Sequence, residues 1–407
     1  MFSETYVPAV NGIATHVNLL KRGLEKLGHE VLVVCAMSTA KKHFLKDGVL
    51  YCPAVDLKKL CQTSFVAGPI SPSRFKFVKI FNPDLIHIHT EFGIGYSGMS
   101  IAKFLRIPLV YTLHTMYYDY LYYIFKDKWK NFGKKALKFY TKVLAQKATC
   151  LVGPSKKVEK FFHSECGVEK PVHVINNPVE VDLFNYSKFS RSEILNLRAR
   201  LGVLPSEILA CFCSRLGKEK SIDVLLKFWS LSVKNSNKYK LLILGDGPCK
   251  EELKKLSREL NLQDQVIFCG KILNKNLPVY YAICDFYVTT SLSDTNSISM
   301  LEAMASGLPV FHLYDELNAN QIRTGVNGYF FKNTVEMRQL FDDYCKMSNF
   351  EKQTLKEQVR SSVMQSGEIA FAKKMIEIYK NALEINTIQN RSLLKFNFHL
   401  KNIMKRS

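Results

Sequence analysis

Short apolar, β-branched runs alternate with helical patterns along most of the chain. In the first half these runs predict strands at residues 31–35, 85–89, 109–113, 150–153 and 172–175, and in the second half at 209–213, 240–244, 266–269, 286–290 and 310–313. Apolar residues spaced three and four apart predict amphipathic helices between them, for example Ile13, Val17, Leu20, Leu24 and Leu27. Apolar strands separated by helices are typical of parallel sheets covered on both faces. The pattern therefore predicts an α/β fold.

The chain is too long for one ordinary core. Its 407 residues favour two domains of roughly 150–200 residues each. A polar stretch around residues 186–205 suggests the boundary, which gives an N-terminal domain at 1–190, a second domain at 191–383 and a basic tail at 384–407. The alternative is that the last helix returns to the N-terminal domain. The 47% apolar content excludes a disordered chain.

The beginning of the chain departs from this pattern. A doubly wound domain opens with a full strand, yet the turn at Asn11 and Gly12 arrives after only ten residues. A late start codon or a stub strand would explain this, and we favour the late start. The opening residues also lack the basic and apolar regions of a signal peptide.

The charge and the cysteines restrict the environment. A net charge of +21 calls for an acidic partner or surface, for which nucleic acid and anionic membrane are the usual candidates. Cys35, Cys211 and Cys213 lie within apolar runs and no CxxC pair occurs, which predicts reduced thiols in a cytosolic protein. No apolar run approaches the ~20 residues that span a bilayer. Any membrane contact is therefore expected to be peripheral, at the cytoplasmic face.

Two strand ends in the second half carry candidate phosphate ligands. Arg215 and Lys220 follow the strand at 209–213, and two cations at the carboxyl edge of a sheet suit a diphosphate. The alternative is a solvated basic loop. A Gly-Asp-Gly-Pro turn begins at Gly245, but a lone GxG is weak evidence. Neither the dinucleotide fingerprint nor a Walker A sequence occurs, so an NTPase is not supported.

The segment 291–310 carries the most specific pattern. A strand ends near Ser291, Asp294 lies in a polar loop, and a helix is predicted from about residue 299 to 305, with Glu302 in its first turn beside the amides of residues 296–298. Free amides and the helix dipole favour a phosphate there. A carboxylate in that place can accept the hydroxyls of a ribose. The alternative is a glutamate that only stabilises the helix N-terminus.

This segment resembles the E-x7-E region of the retaining GT-B transferases of glycosyltransferase family 4. Arg215 and Lys220 fall where that family keeps the cations of its donor diphosphate, and the turn at Gly245, residues 266–270 and residues 280–285 follow in the expected order. The resemblance runs from Ser3 to about Leu383. It implies two Rossmann-like domains facing a central cleft. The chain departs from the family pattern where Asp294 replaces Glu and where serine replaces Gly, at Ser214, Ser221 and Ser297.

The resemblance also implies roles for single residues. Glu302 would bind the donor ribose, Asp294 a hydroxyl of the donor sugar, and His114 would line the sugar pocket, although a lone histidine at a strand end is often structural. Glu91 is a weaker candidate. The remaining substrate-binding candidates are Asn11, Gly12, Gly245, Gly270, Asn296, Ser297 and Ile298. The His-x-His pair at His87 and His89 makes a poor metal site, so no metal and no cofactor is expected.

Three segments mix lysines with aromatic residues. The first is residues 73–81, the second begins with the aromatic run at 117–125, and the third is the tail at 391–406. Such helices suit the headgroup layer of anionic bilayers, where each cation contributes about 1 kcal/mol. The alternatives are ordinary core packing and single-stranded nucleic acid, but no RNA-binding signature occurs. The membrane-binding candidates are Arg74, Lys76, Lys79, Lys126, Lys128, Trp129 and Lys130.

Within the family, the opening at residues 2–6, the segment 112–115 and the basic aromatic helices look most like diacylglycerol glycosyltransferases. This resemblance predicts transfer of glucose or galactose from a UDP-sugar to diacylglycerol at the membrane surface, with retention of configuration. The alternatives are another lipid-linked acceptor, a UDP-sugar epimerase of GT-B architecture, and a basic protein that binds nucleotide or nucleic acid without catalysis. No feature of the sequence predicts an oligomeric state.

Overall fold

The computed structural model describes residues 1–56, 65–115, 130–233, 236, 238–316 and 321–404, with side chains through residue 390. The chain divides into two compact units. The first unit comprises Met1–Asn176 and Ile369–Ser407, and the second comprises Asn177–Glu368.

The first unit is built on a largely parallel sheet with the strand order β3-β4-β2-β1-β6-β7-β8-β9. Only β3 and β5 pair antiparallel, both with β4. The strands are β1 Phe2–Ser3, β2 Val33–Met37, β3 Phe44–Lys46, β4 Val49–Asp56, β5 Phe65–Ala67, β6 Ile86–Ile88, β7 Leu109–Thr112, β8 Cys150–Gly153 and β9 Val172–Val174. The helices are α1 Gly12–Lys26, α2 Pro72–Phe81, α3 Gly93–Leu105, α4 Lys130–Lys147 and α5 Lys156–Lys160.

The first strand is a two-residue stub in the middle of this sheet. Phe2 pairs with Val34 of β2 on one side and with Ile88 of β6 on the other. The Phe2 side chain is buried beside Gly98 of α3, where an added Cβ would approach the Phe2 ring to 2.8 Å. Glycine therefore allows α3 to cross close over the stub.

The last helix, α13 Glu368–Met404, belongs to the first unit from Ile369 onward. Its apolar residues recur at helical spacing and pack in one cluster with α1, β7 and β8. That cluster includes Leu20, Leu24, Val110, Val152, Phe371, Ala372, Met375 and Ile378. In the sequence analysis, the return of the last helix to the N-terminal domain was the alternative arrangement, and the structure has this arrangement.

The second unit holds an all-parallel sheet with the strand order β12-β11-β10-β13-β14-β15. Its strands are β10 Ile208–Cys213, β11 Tyr239–Leu244, β12 Val266–Gly270, β13 Phe286–Thr289, β14 Val310–Leu313 and β15 Gly328–Phe331. Its helices are α6 Arg191–Arg200, α7 Ile222–Ser232, α8 Lys250–Glu259, α9 Leu277–Ala282, α10 Ile298–Ala305, α11 Thr334–Lys346 and α12 Asn349–Val363. Each predicted strand is present, with small differences at the ends.

The boundary between the units lies earlier than the sequence suggested. The second unit begins at Asn177, whereas the polar stretch pointed to residue 190. Val179 and Phe184 explain the difference, because both are buried in the core of the second unit ahead of the polar stretch. Polar composition marks α6, a surface helix of that unit, and not the junction itself.

Arg74 does not lie at a surface, so its prediction as a membrane-binding cation is wrong. Its side chain is 1% exposed. The guanidinium Nη1 donates to the Gly68 carbonyl at 3.0 Å, and Nε lies 3.4 Å from the Cys52 sulfur. Burial raises the pKa of Glu4 to about 7, and the positive charge of Arg74 opposes this rise. Arg74 is a buried structural cation.

The other basic and aromatic segments are only partly described. Lys76 and Lys79 are exposed on α2. Lys126, Lys128 and Trp129 lie outside the described residues, and Lys130 is the first residue of α4. Within the described part of the chain, no helix combines the length and the apolar character that crossing a bilayer requires.

Replacing Arg74 tests its structural role against a membrane role. We expect Arg74→Ala to lower the free energy of unfolding of the first unit by about 3 kcal/mol, because it leaves the Gly68 carbonyl unsatisfied and the Glu4 carboxyl without its cation. Lys79→Ala on the same helix should leave stability unchanged. Urea unfolding measures both. Equal stability of the two variants, with a loss of vesicle binding in Arg74→Ala alone, would contradict the buried role.

Candidate functional site

The candidate site of the second unit lies at the carboxyl edge of its sheet. Strands β10 and β13 are neighbours, with Ala210 opposite Phe286 and Cys211 opposite Tyr287. The loops that follow Cys213 and Thr289 therefore leave the sheet side by side. Ligands in open parallel sheets bind at this edge. The pairing brings the predicted cations and the predicted carboxylates to one place.

Lys220 and Asp294 form an ion pair across these two loops. The Lys220 ammonium contacts Asp294 Oδ1, and Ser291 Oγ donates to Asp294 Oδ2 at 2.7 Å. Burial alone would raise the pKa of Asp294, but the Lys220 charge and these hydrogen bonds hold it below its ordinary value. Asp294 is therefore an ionised carboxylate with a fixed orientation.

Arg215 is held by Glu219 of the same loop. Its Nη2 lies 2.5 Å from Glu219 Oε1, and the Glu219 side chain is 1% exposed whereas that of Arg215 is 33% exposed. A Cβ at Gly217 would lie 2.4 Å from the Glu219 carboxylate, so a larger residue there would push this carboxylate away from its position beside Arg215. The two cations are each paired with an acid, and their contact with a diphosphate stays a prediction.

Helix α10 begins between the two loops. Ser297 is its N-cap, and the Ser297 hydroxyl accepts from the Met300 amide at 3.4 Å. The serine that replaces the family glycine therefore caps the helix. Because the helix starts at Ile298, Glu302 is its fifth residue, and the prediction that Glu302 lies in the first turn is wrong.

Glu302 is a buried carboxyl with one weak partner. It is 7% exposed, and the Tyr281 hydroxyl lies 3.5 Å from its Oε2. Burial raises the pKa of Glu302 to about 8, although the Tyr281 hydrogen bond opposes the rise. A surface glutamate that only stabilises a helix end would titrate normally. Glu302 is therefore a buried carboxyl and not an exposed glutamate, and its contact with a ribose stays a prediction.

Asn296 holds the loop before α10 and uses its side chain to do so. Its Oδ1 accepts from the Asn177 amide at 2.8 Å, and its Nδ2 donates to Gln321 Oε1 at 3.0 Å. The Asn296 carbonyl also accepts from Asn177 Nδ2 at 2.7 Å, and the predicted contact of Asn296 with substrate stays a prediction. The Ile298 side chain is buried, and the predicted contact of Ile298 with substrate likewise stays a prediction.

The two predicted glycines shape neighbouring loops. Gly245 has a φ of +141°, and a Cβ there would lie 1.9 Å from the Ser214 carbonyl. The Gly245 amide donates to the Gly270 carbonyl at 2.8 Å. Gly245 lets the β11 loop approach the Arg215 loop closely, and Gly270 adopts a positive φ of +70°, which favours glycine. Their contact with substrate stays a prediction.

In the first unit, Asn11 and Gly12 start α1. Asn11 is the N-cap, with Oδ1 accepting from the Ala14 amide at 2.9 Å and Nδ2 donating to Thr5 Oγ1 at 2.8 Å. Asn11 therefore ties the opening loop to the helix. The predicted role of Asn11 and Gly12 toward substrate is not tested by these contacts.

His114 follows β7 and is half-buried beside two other imidazoles. Its Nε2 lies 3.1 Å from His89 Nδ1, and its ring centroid is 4.4 Å from that of His16. Burial, followed by the neighbouring His16, holds the pKa of His114 well below its usual range. Glu91 is buried and accepts from the Tyr111 hydroxyl at 2.8 Å, which is a packing role.

Several contributing residues were missed from the sequence. Glu219 looked like one charge in a solvated Lys-Glu-Lys run, although its spacing of four from Arg215 was a usable signal. Ser291 and Tyr281 carry no local signal, because only the fold brings them to Asp294 and Glu302. His16 gave no separate signal because it lies among the regularly spaced apolar residues of α1.

Known proteins match both units. A model of Glycosyltransferase Family 4 matches residues 10–183, and a model of Glycosyl transferases group 1 matches residues 194–357. The alpha-monoglucosyldiacylglycerol synthase of Streptococcus pneumoniae is 28% identical over 390 residues, which are 96% of this chain and 87% of that protein. The synthase of the same name from Acholeplasma laidlawii is 30% identical over 341 residues, 83% of this chain and 85% of that protein.

Solved structures agree with the fold. A glycosyltransferase from Rickettsia africae matches with a TM-score of 0.70 at 17% identity, over 92% of this chain and 96% of its own. Anabaena HepE, solved with UDP and glucose, matches with a TM-score of 0.68 at 18% identity, over 92% of this chain and 98% of its own. Since both units match glycosyltransferase models and a 30% identical relative is covered over most of its length, the chain belongs to glycosyltransferase family 4 and is a glycosyltransferase of the GT-B fold.

Proposed function

We propose that this glycosyltransferase moves glucose from UDP-glucose to the 3-hydroxyl of diacylglycerol at a membrane surface, with retention of configuration. The observation that carries the proposal is the edge of the second sheet, where two paired cations, a helix N-terminus and a buried carboxyl converge. The names of the two synthase relatives support glucose over galactose and diacylglycerol over other acceptors. An α-glucosyl product from the α-linked donor means retention.

In this proposal, the diphosphate of the donor binds between Arg215, Lys220 and the first amides of α10. The guanidinium is suited to two phosphate oxygens at once, and the ammonium acts as a point charge. When the sugar leaves, negative charge develops on the diphosphate. Cations and amides fixed before the reaction stabilise that charge without reorganisation. No metal ion or other cofactor is needed for this step.

The carboxylates orient the rest of the donor. Glu302 accepts the ribose hydroxyls, and Asp294 accepts a hydroxyl of the glucose. Lys220 holds Asp294 ionised and oriented, so the same ammonium links the sugar contact to the phosphate contact. By the family resemblance, His114 contributes a further contact to the sugar. No carboxylate of the chain is proposed as a nucleophile.

The acceptor is a lipid, and the first unit presents a surface that fits a membrane. Phe132 and Phe139 of α4 are 66% and 70% exposed, seven residues apart on one face of the helix. Lys134 and Lys135 are exposed beside them. Exposed aromatic residues with lysines are typical of helices that lie in the headgroup layer of anionic bilayers. We propose peripheral binding through this face.

The direct test is an acceptor screen. Purified protein is incubated with UDP-glucose or UDP-galactose and with anionic vesicles that contain diacylglycerol, and the lipid products are identified by mass spectrometry and by the anomeric coupling in NMR. We expect α-glucosyldiacylglycerol. Glycosylation of a different lipid would overturn the acceptor, and a β-linked product would overturn retention. Turnover of UDP-glucose without acceptor would indicate an epimerase, and no turnover a binding protein.

The raised pKa of Glu302 predicts a pH-dependent affinity for the donor. Because its pKa is about 8 in the free protein and the ribose binds the ionised form, a proton must leave on binding below that pH. The affinity for UDP-glucose should rise with pH, by up to about tenfold per unit, and level off above pH 8. Isothermal calorimetry in several buffers measures it. Glu302→Gln should bind weakly at every pH, and an unchanged pH profile would contradict the assignment.

Asp294 should matter more for transfer than for donor binding. Asp294→Asn removes the charge that Lys220 orients, and we expect kcat to fall by about a hundredfold or more while the Kd for UDP changes only a few-fold. Asp294→Glu restores the residue usual in the family and should recover part of the rate. The comparison uses steady-state kinetics with UDP binding as the control. Equal losses of UDP affinity in both variants would refute the division of roles.

The α4 face should carry part of the membrane affinity. Replacing Lys134 and Lys135 together by glutamine should weaken binding to anionic vesicles by about 2 kcal/mol, or roughly thirtyfold in the partition coefficient. The matched control is the double variant of two exposed lysines of the second unit, Lys255 and Lys346. Vesicle sedimentation measures both. If the two double variants lose affinity equally, net charge and not the α4 face drives binding.

A further inference from the structure

Three imidazoles of the first unit meet at the carboxyl edge of its sheet. His89 follows β6, His114 follows the neighbouring β7, and His16 lies in the first half of α1. One ring nitrogen from each lies within 4.8 Å of the others. His89 Nδ1 and His114 Nε2 are 3.1 Å apart. The cluster does not involve any of the residues placed at the sheet edge of the second unit.

The spacing of the rings is that of a metal centre. Four-coordinate Zn²⁺ with Zn–N bonds of about 2.0–2.1 Å separates its donor nitrogens by about 3.3 Å and its imidazole centroids by about 5 Å. The observed centroid separations are 5.4 Å for His16 and His89, 4.4 Å for His16 and His114, and 5.4 Å for His89 and His114. The ring nitrogens lie within 4.8 Å of one another, so the rings would have to draw together by up to about 1.5 Å to reach tetrahedral spacing.

A fourth histidine, His87, lies nearby but is hydrogen-bonded to other residues. His87 Nδ1 lies 2.8 Å from the Tyr379 hydroxyl and Nε2 lies 2.7 Å from Thr112 Oγ1, so both of its nitrogens are hydrogen-bonded. His89 differs, because its Nε2 is fully buried and has no hydrogen-bond partner among the described residues. From the sequence, His87 with His89 is judged a poor metal site, with no metal expected. The fold replaces His87 by two histidines from distant parts of the chain.

The cluster offers a metal ion three nitrogen ligands. His16 and His89 are buried, whereas His114 is half-buried. Three histidines with an open fourth position are the ligand set of catalytic and exchangeable zinc sites, in which water completes the tetrahedron. Imidazole nitrogens favour Zn²⁺, Cu²⁺, Ni²⁺ and Fe²⁺ over Mg²⁺ and Ca²⁺, which prefer oxygen. No carboxylate takes part in the cluster, which agrees with this selectivity.

We propose that His16, His89 and His114 form a binding site for one divalent transition-metal ion of the zinc type. The ion joins the end of β6, the end of β7 and helix α1. It stabilises the folded first unit because it binds the native arrangement and not the unfolded chain. The site rests on the geometry of the first unit alone. Because the proposed glucosyl transfer gives His114 a contact to the donor sugar, a bound ion and that contact would exclude each other at His114.

The test measures metal binding to the full chain without a polyhistidine tag, after chelator treatment and dialysis. Zn²⁺ is titrated against a chromophoric chelator, and Co²⁺ is used to read the ligands by absorption. We expect one equivalent of Zn²⁺, a Zn²⁺-dependent rise in Tm, and the visible d–d bands of a tetrahedral, nitrogen-ligated Co²⁺ ion. A thiolate-to-cobalt charge-transfer band would instead place the ion on the cysteines and overturn the site.

Matched variants distinguish Zn²⁺ binding at the histidine cluster from nonspecific Zn²⁺ binding elsewhere on the protein. His114→Ala and His16→Gln should each weaken Zn²⁺ binding by at least about tenfold and abolish the rise in Tm. His173→Ala, at a half-buried histidine of β9, is the control and should leave both unchanged. Thermal melting without metal shows whether each variant folds. If one of the two histidine variants does not fold, the other still provides the test. Absence of stoichiometric Zn²⁺, or equal binding by all variants, would show that the cluster is only a stack of neutral imidazoles.

Discussion

The parallel pairing of β10 with β13 is the constraint on which the candidate site depends. The two strands are separated by more than seventy residues of chain, yet their register places Cys211 opposite Tyr287. Parallel strands end at the same edge, so the loop that carries Lys220 and the loop that carries Asp294 have to meet. The hydroxyl of Tyr287 then donates to the Cys213 carbonyl at 3.2 Å, which fixes the two strand ends together.

Charge at this edge is balanced locally, although the chain as a whole carries a net charge of +21. Arg215 is paired with Glu219 and Lys220 with Asp294. The pairs keep the cations oriented in a half-buried position, where an unpaired cation would be costly. A diphosphate that enters brings additional negative charge to cations that are already fixed in place. The excess positive charge of the chain lies instead on surfaces such as the exposed lysines of α4.

The sequence predicted most of the fold because period-two and period-3.6 patterns are local. It placed ten strands of the two sheets, but not β1, β3, β4, β5 or β15. All but β4 of these are at most four residues long, and β4 contains Pro53. It found Arg215, Lys220, Asp294 and Glu302 through spacing and family resemblance. It could not distinguish Arg74 from its exposed neighbours, since the direction of a helical side chain depends on what packs against the helix. The histidine cluster was equally out of reach, because three separate segments build it.

Asp294 and Glu302 show how position decides the chemistry of similar groups. Both belong to one segment of chain and both are taken out of water, which by itself raises the pKa of a carboxyl. Asp294 has a cation and a hydroxyl as partners, and its pKa is lowered. Among the described residues, the Glu302 carboxyl has the hydroxyl of Tyr281 as its one hydrogen-bond partner, and burial raises its pKa to about 8. A permanently charged acid can orient a reacting sugar at any physiological pH. In the proposed function, ionisation of Glu302 on binding the ribose couples recognition of the nucleotide to the loss of one proton.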